Sequence, residues 1–182
     1  MKYIFVTSNL KKYTEVSSML PNVTRMSAEL SEIQSMKIEE VIDNKLDQVK
    51  NFAKISDDET YYMVEDTALY LNCLNGFPGP FVKYFNNSLT TSGLVELVEK
   101  YNNPIAEAVT MIGLLGSSLQ PMYFTGRCLG KIGKRTQNNQ FGFEDCFYPD
   151  GCDTNFAEMS LEDKCKYSMR GMAVKELIKH ME

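Results

Sequence analysis

Two long β-favouring runs stand almost back to back in the second half of the chain, Ala106 to Leu115 and Met122 to Ile132, parted only by Gly116-Ser117-Ser118-Leu119-Gln120-Pro121. Apolar β-rich runs joined by so short a Gly/Ser/Pro connection read as an antiparallel hairpin. The first half of the chain has a different rhythm. Tyr3 to Val6 is a short strand, and Leu10, Tyr13, Val16 and Leu20 then recur at helical spacing over Leu10 to Leu20. Val23 to Met26 reads as a second short strand. Glu39 to Ile55 reads as a helix with Val41, Ile42, Leu46, Val49, Phe52 and Ala53 on its inner side, and Tyr61 to Val64 as a buried strand ending in a Glu65-Asp66 turn. Helices interleaved with strands, plus one hairpin, predict an α/β fold with a mixed sheet.

Between these runs lies Gly76-Phe77-Pro78-Gly79-Pro80, which can be neither a regular helix nor a central strand, because its prolines lack donors and its glycines favour unusual dihedrals. Phe81 to Asn86 fits one or two helical turns, and Ser92 is placed to N-cap a helix reaching Tyr101. Gly133 to Gln140 reads as an exposed polar loop. Ser160 opens a helix with Glu162 and Asp163 in its first turn, and Ser168 caps another running to about His180. With no repeat, linker or low-complexity tract, residues 1–182 read as a single domain.

Of the 182 residues 43% are hydrophobic and 24% charged, enough for a real core in one domain. The net charge of -5, without a basic block, argues against broad nucleic-acid binding, so any anionic ligand must be held locally. Five cysteines, odd in number and without a CxxC pair, fit reduced thiols. The start turns polar by Thr7-Ser8-Asn9 and no apolar stretch approaches 18 residues, so neither a signal peptide nor a membrane span is expected and the expected compartment is the cytoplasm. The only histidine is His180, which argues against Ser-His-Asp and HExxH chemistry. Gly126 to Ile132 has the wrong glycine spacing for a P-loop and lacks Ser or Thr after Lys131.

Four constellations and two single lysines remain. Thr7-Ser8-Asn9-Leu10-Lys11-Lys12 spans a strand-to-helix turn, where unpaired backbone N–H groups, side-chain donors and Lys12 suit a phosphate, or where an ordinary cap stands beside solvated lysines. Glu65-Asp66-Thr67, with Glu32 as companion, suits Mg2+, which takes one or two carboxylates with substrate phosphates, or is a solvated acidic turn. Lys45 and Lys83 beside apolar helical positions are ligands or snorkelling surface residues. Phe141-Gly142-Phe143-Glu144 offers stacking faces, or core aromatics. Lys164 with Ser168-Met169-Arg170 offers a donor for a keto oxygen or phosphate, or is simply a helix start.

Taken in order, Thr7 to Lys12, Glu65-Asp66-Thr67-Ala68-Leu69, Gly76 to Lys83, Phe141 to Glu144, Ala157-Glu158-Met159 and Lys164 to Arg170 resemble the motif series of the inosine triphosphate pyrophosphatase family over nearly the whole chain. The Gly-x-Pro-Gly-Pro segment with Lys83, placed after Glu-Asp-Thr, is the most specific part. The resemblance implies an elongated α/β fold with two lobes around a nucleotide cleft, usually in a homodimer. It also implies hydrolysis of ITP, dITP and XTP to the monophosphate and pyrophosphate with Mg2+, for which Mn2+ can substitute, and so a role in cleansing the nucleotide pool. It assigns Thr7, Ser8, Asn9, Leu10, Lys11 and Lys12 to the phosphates, Lys45 and Lys83 to the triphosphate charge, and Glu32 and Asp66 to the metal. Asp66, with Lys12 and Glu65, forms the expected catalytic group. Thr67 would line the phosphate end, Phe141, Gly142, Phe143 and Glu144 would pack the base, and Lys164, Met169 and Arg170 would complete the pocket.

Three positions depart from the family pattern. Ser8 stands where members usually have Gly, Glu144 where they have Asp, and Met169 where they have His. Met169 offers no hydrogen-bond donor. That substitution keeps open a related enzyme of altered base preference, Maf-like or broader for purines. The third alternative is a catalytically silent nucleotide-binding module.

Overall fold

The computed structural model describes residues 1–53, 57–136 and 142–182. Its strands are β1 (Lys2–Val6), β2 (Val23–Met26), β3 (Thr60–Leu71), β4 (Pro78–Gly79), β5 (Ile105–Leu115), β6 (Pro121–Ile132) and β7 (Phe147–Pro149). Its α-helices are α1 (Leu10–Ser17), α2 (Ile38–Lys50), α3 (Val82–Lys100), α4 (Leu161–Tyr167) and α5 (Met169–Met181). The sheet runs β2-β1-β3-β5-β6-β7, with β4 added to β3. β1 is parallel to β2 and β3, whereas β3, β5, β6 and β7 are successively antiparallel. The mixed α/β architecture and the hairpin are those the hydrophobic rhythm predicts.

Strand alternation distributes the core. Tyr3, Phe5, Met63, Ile112 and Leu114 face one side, where they meet Val16 of α1 and Val174 and Leu177 of α5. Val6, Val64, Val109 and Leu115 face the other, against Ile42, Leu46 and Val49 of α2. Beyond β1, a third cluster under α3 joins Leu69, Leu71 and Leu94 to Phe147 and Phe156. Each face is covered because successive side chains in a strand point to opposite sides.

The expected Glu65-Asp66 turn is corrected by the structure. The apolar pattern resumes at Ala68, Leu69 and Leu71, so β3 continues to Leu71 with Glu65, Asp66 and Thr67 mid-strand opposite Ile112, Met111 and Thr110. β1 gives its last pair at Phe5 and Met63, and β4 begins pairing only at Leu69. The acidic residues therefore have a neighbouring strand on the β5 side and an opening on the other, at the carboxyl end of the parallel strands, where ligands of α/β sheets bind. Gly76 to Pro80, expected as a loop, contributes the two residues of β4 that close the far end of that opening.

Three helix boundaries also shift. α1 ends at Ser17 rather than Leu20, and α2 covers Ile38–Lys50, the expected extension to residues 54 and 55 lying outside the described residues. α3 is a single span broken at Thr90, with φ 64° and ψ 167°, a rare setting for a β-branched residue. Thr90 Oγ1 accepts from the Gly93 N–H at 3.5 Å and so takes the capping place expected of Ser92. The Asn9, Ser160 and Ser168 caps accept from the N–H groups of Lys12, Asp163 and Gly171.

α5 lies hard against β6 at Gly126, where a Cβ would stand 1.9 Å from the Met169 carbonyl oxygen and 2.6 Å from the Ala173 nitrogen. Gly126→Ala is expected to lose about 1–3 kcal/mol, the cost of overpacking, because backbone rather than a flexible tip must move. Urea unfolding of the variant checks this; unchanged stability would show that α5 sits farther from the sheet.

Candidate active site

The opening beside β3 is a cleft of about 1190 Å³. Of the residues singled out from the sequence, Thr7, Ser8, Asn9, Lys12, Glu32, Lys45, Glu65, Asp66, Thr67, Lys83, Gly142, Phe143, Glu144, Met169 and Arg170 line it. Lys164 stands one layer behind. Leu10 and Lys11 belong to the exposed side of α1 and are not part of the lining, and Phe141 lies outside the described residues.

Adjacent positions on a strand point to opposite faces, and this separates Glu65 from Asp66. Asp66 faces α2: Lys45 Nζ donates to Asp66 Oδ1 at 2.7 Å and lies 2.9 Å from Glu32 Oε1. Glu65 faces α1 and α5: Lys12 Nζ is 3.0 Å from its Oε2 and Arg170 Nη2 is 3.3 Å from its Oε1. Thr67 Oγ1, on the same face, donates to Glu65 Oε1 at 2.7 Å and sits 3.1 Å from Thr110 Oγ1.

The two carboxylates accordingly titrate in opposite directions. Burial would raise Glu65, but the charges of Arg170 and Lys12 outweigh it and hold the carboxyl at about 2. Asp66 is raised, because burial exceeds the opposing effects of Lys45 and Lys12. Burial acts on Glu32 as well, yet Lys45, Lys83 and Lys12 bring it below the ordinary carboxylate range. The Lys45 ammonium loses hydration on burial but is raised by Asp66 and Glu32.

A second network continues from Glu65. Arg170 Nη1 donates to Glu15 Oε2 at 2.5 Å, and Lys164 Nζ meets both Glu15 Oε1 and Glu144 Oε1 at 2.5 Å. Burial raises Glu144 despite Lys164, whereas Arg170 and Lys164 overcome the burial of Glu15 and lower it. Glu15 is absent from the sequence-derived set. Only its partners, 149 and 155 positions away, distinguish it from a surface helical glutamate. Arg135 is also absent from that set, because its segment reads as an exposed polar loop, yet it lines the same cleft.

Glu32 and Asp66 converge on the single ammonium of Lys45, which makes them two oxygen donors at one cation-binding spot. That donor set fits Mg2+, which prefers carboxylates supplemented by phosphate and water oxygens. Among the described residues no group of three or more His, Cys, Asp or Glu forms a complete metal cage. A metal held here would complete its shell from substrate and water.

An α/β protein with a cation-bearing, carboxylate-lined cleft at the end of its parallel strands has its opening where ligands of this fold class bind. The comparison with known proteins narrows this. The model of the Ham1 family matches residues 3–180, and the chain belongs to that family. It is 32% identical over 179 residues to a dITP/XTP pyrophosphatase of Methanopyrus kandleri, covering 96% of this chain and 93% of the relative. It is 35% identical over 180 residues to an inosine triphosphate pyrophosphatase of Fusarium vanettenii, covering 97% and 94%. The fold matches the Staphylococcus aureus Ham1 protein with a TM-score of 0.78 at 23% identity, covering 99% of this chain and 98% of that one. Among the described residues no helix is long and apolar enough to cross a membrane.

Proposed function

We propose that this protein hydrolyses deaminated purine nucleoside triphosphates, ITP, dITP and XTP, to the monophosphate and pyrophosphate with Mg2+, and so cleanses the nucleotide pool. The chain is a nucleoside triphosphate pyrophosphatase, a hydrolase, as its named relatives are. The observation that carries the finer reading is the division between two neighbouring carboxylates. Asp66 is raised and faces the Glu32–Lys45 spot, whereas Glu65 is held ionised between Lys12 and Arg170.

A base that accepts a water proton works best when its affinity for protons is raised toward the operating pH, which suits Asp66 and not Glu65. Asp66 orients and deprotonates the attacking water. The α1 N-terminus, Lys12 and Lys83 bind the phosphates. Lys12, Lys45 and Arg170 in the cleft and Lys164 behind it are already paired with Glu15, Glu32, Glu65, Asp66 and Glu144, so a triphosphate needs a further positive charge. Glu32 and Asp66 would hold Mg2+, which supplies charge neutralisation at the phosphates when bound. The homodimer implied by the family resemblance is part of the same proposal, with sedimentation as its check.

The test is pyrophosphate release with Mg2+ from ITP, dITP, XTP, GTP, ATP, dUTP and dTTP. Preference for the first three supports the reading, and silence with all seven overturns it. Met169, buried at the cleft without a donor, favours one second reading, a pyrophosphatase of broader base preference. Met169→His is therefore expected to sharpen the preference for ITP over ATP and GTP by roughly tenfold, the effect of one added hydrogen bond. Unchanged ratios of kcat/KM would show that position 169 does not touch the base.

A further inference from the structure

The α3 wall of the cleft carries a side chain that the proposed reaction does not use. Asn86 lines the cleft, and its Nδ2 and Oδ1 are both buried without a hydrogen-bond partner among the described residues. The other orphaned nitrogen of the lining, Arg170 Nε, belongs to a side chain already bonded to Glu15, Glu65 and Thr67. An unpaired buried donor or acceptor costs about 1–3 kcal/mol, so Asn86 weakens the free protein and gains in full from a ligand that pairs with it. The residue as a whole is partly exposed and its carboxamide is tied to nothing, so a side-chain rotation presents both polar atoms to the cleft.

Its place along α3 decides what it meets. Asn86 follows Lys83 by three residues, which puts the two on one face of the helix, and Lys83 binds the phosphates in the reading above. In the other direction α3 breaks at Thr90, and the residues after the break are fastened to the wall that carries Phe143 and Glu144. There Thr91 Oγ1 donates to Asp145 Oδ2 at 3.2 Å, while Arg135 gives Nε to Asp145 Oδ2 and Nη1 to Ser92 Oγ, each at 2.6 Å. Asn86 thus stands between the phosphate end and the base wall, at the level of the sugar that links them. We propose that Asn86 is a specificity-determining residue that binds the ribose, Oδ1 accepting from one of the vicinal hydroxyls and Nδ2 donating to its neighbour. This rests on the nucleotide reading above. A hydroxyl both donates and accepts, and a carboxamide presents an acceptor beside a donor, so a vicinal diol matches it. A 2′-deoxy sugar lacks one of the two hydroxyls and leaves half of the carboxamide open again, which favours ITP over dITP.

The test compares kcat/KM for ITP, dITP, XTP and dXTP in wild type and Asn86→Leu, which keeps much of the side chain's shape without its polar atoms. One hydrogen bond to a group with no other partner predicts that the wild type prefers each ribonucleotide over its deoxy counterpart by about tenfold. The preference should be the same for both bases, because the contact is to the sugar. Leucine should bring each pair level, and Asn86→Ala should do the same with a smaller side chain. Thermal unfolding of Asn86→Leu should match or exceed wild type, since no bond within the fold is lost. A marked fall would show that the carboxamide is bonded inside the protein and would overturn the inference. Equal kcat/KM for ribo- and deoxyribonucleotides in wild type, a preference confined to one base, or one that survives both substitutions overturns it too and leaves the pyrophosphatase reading standing. Silence of the wild type toward all four overturns that reading and this inference with it.

Discussion

Asp66→Asn is expected to lower turnover by about 10²- to 10⁴-fold, the usual contribution of a positioned general base. The amide oxygen of Asn can still accept from Lys45 Nζ, which stands 2.7 Å from Asp66 Oδ1, so the packing of β3 against α2 survives the change. What disappears is the negative charge and the capacity to take a proton. Circular dichroism and thermal unfolding close to wild type, together with retained ITP binding, would separate a lost base from a lost fold. Near-normal kcat would remove Asp66 from the chemistry. The pH profile gives a second handle. The base must be ionised to act, and burial raises Asp66 against the pull of Lys45 and Lys12, so kcat/KM should climb with pH through a value above the ordinary aspartate range. An acid limb at or below that range would assign the climb to another group.

The strong periodicities of the chain were legible because they depend on local spacing. The β5–β6 hairpin, the α2 stripe of Val41, Ile42, Leu46 and Val49, and the Ser160 and Ser168 caps all follow from residues within a few positions of one another. The cleft was legible in part, through motif residues that the fold does gather along one opening. What escaped was set by long-range partners. Glu15 matters because Lys164 and Arg170 arrive from the far end of the sequence, and Arg135 because Asp145 and the α3 break receive it. The mistaken turn at Glu65 has a different origin. Consecutive acids usually mark a solvated bend, and here tertiary pairing with lysine and arginine keeps them in a strand.

That pairing makes Glu65→Gln the substitution with the largest expected effect on stability. Glu65 is buried with Lys12 and Arg170 as its cations, and Arg170 is itself 3% exposed. Its carboxyl lies at about 2, against an ordinary value of 4.5. A tenfold change in proton affinity between the folded and unfolded chain corresponds to about 1.4 kcal/mol, so the ionised carboxylate contributes about 3 kcal/mol at pH 7, and that is the expected loss in the glutamine variant. The direction with pH follows from the depressed folded-state value. The contribution is complete above the unfolded value of 4.5 and disappears as pH falls toward 2. Asp66 and Glu144 are both raised and act in the opposite sense over the acid range, while Glu15 and Glu32 are lowered as Glu65 is, so the wild-type profile alone would blend all of these groups. The difference between wild type and variant isolates Glu65. Urea unfolding of both proteins at pH 7, 5, 4 and 3 should give a gap that is constant down to about pH 5 and then narrows. A gap that persists undiminished at pH 3 would mean that the loss comes from altered packing in the amide. A gap that closes would establish that the cations flanking Glu65 keep it charged, and so leave proton transfer to its neighbour on the opposite face of β3.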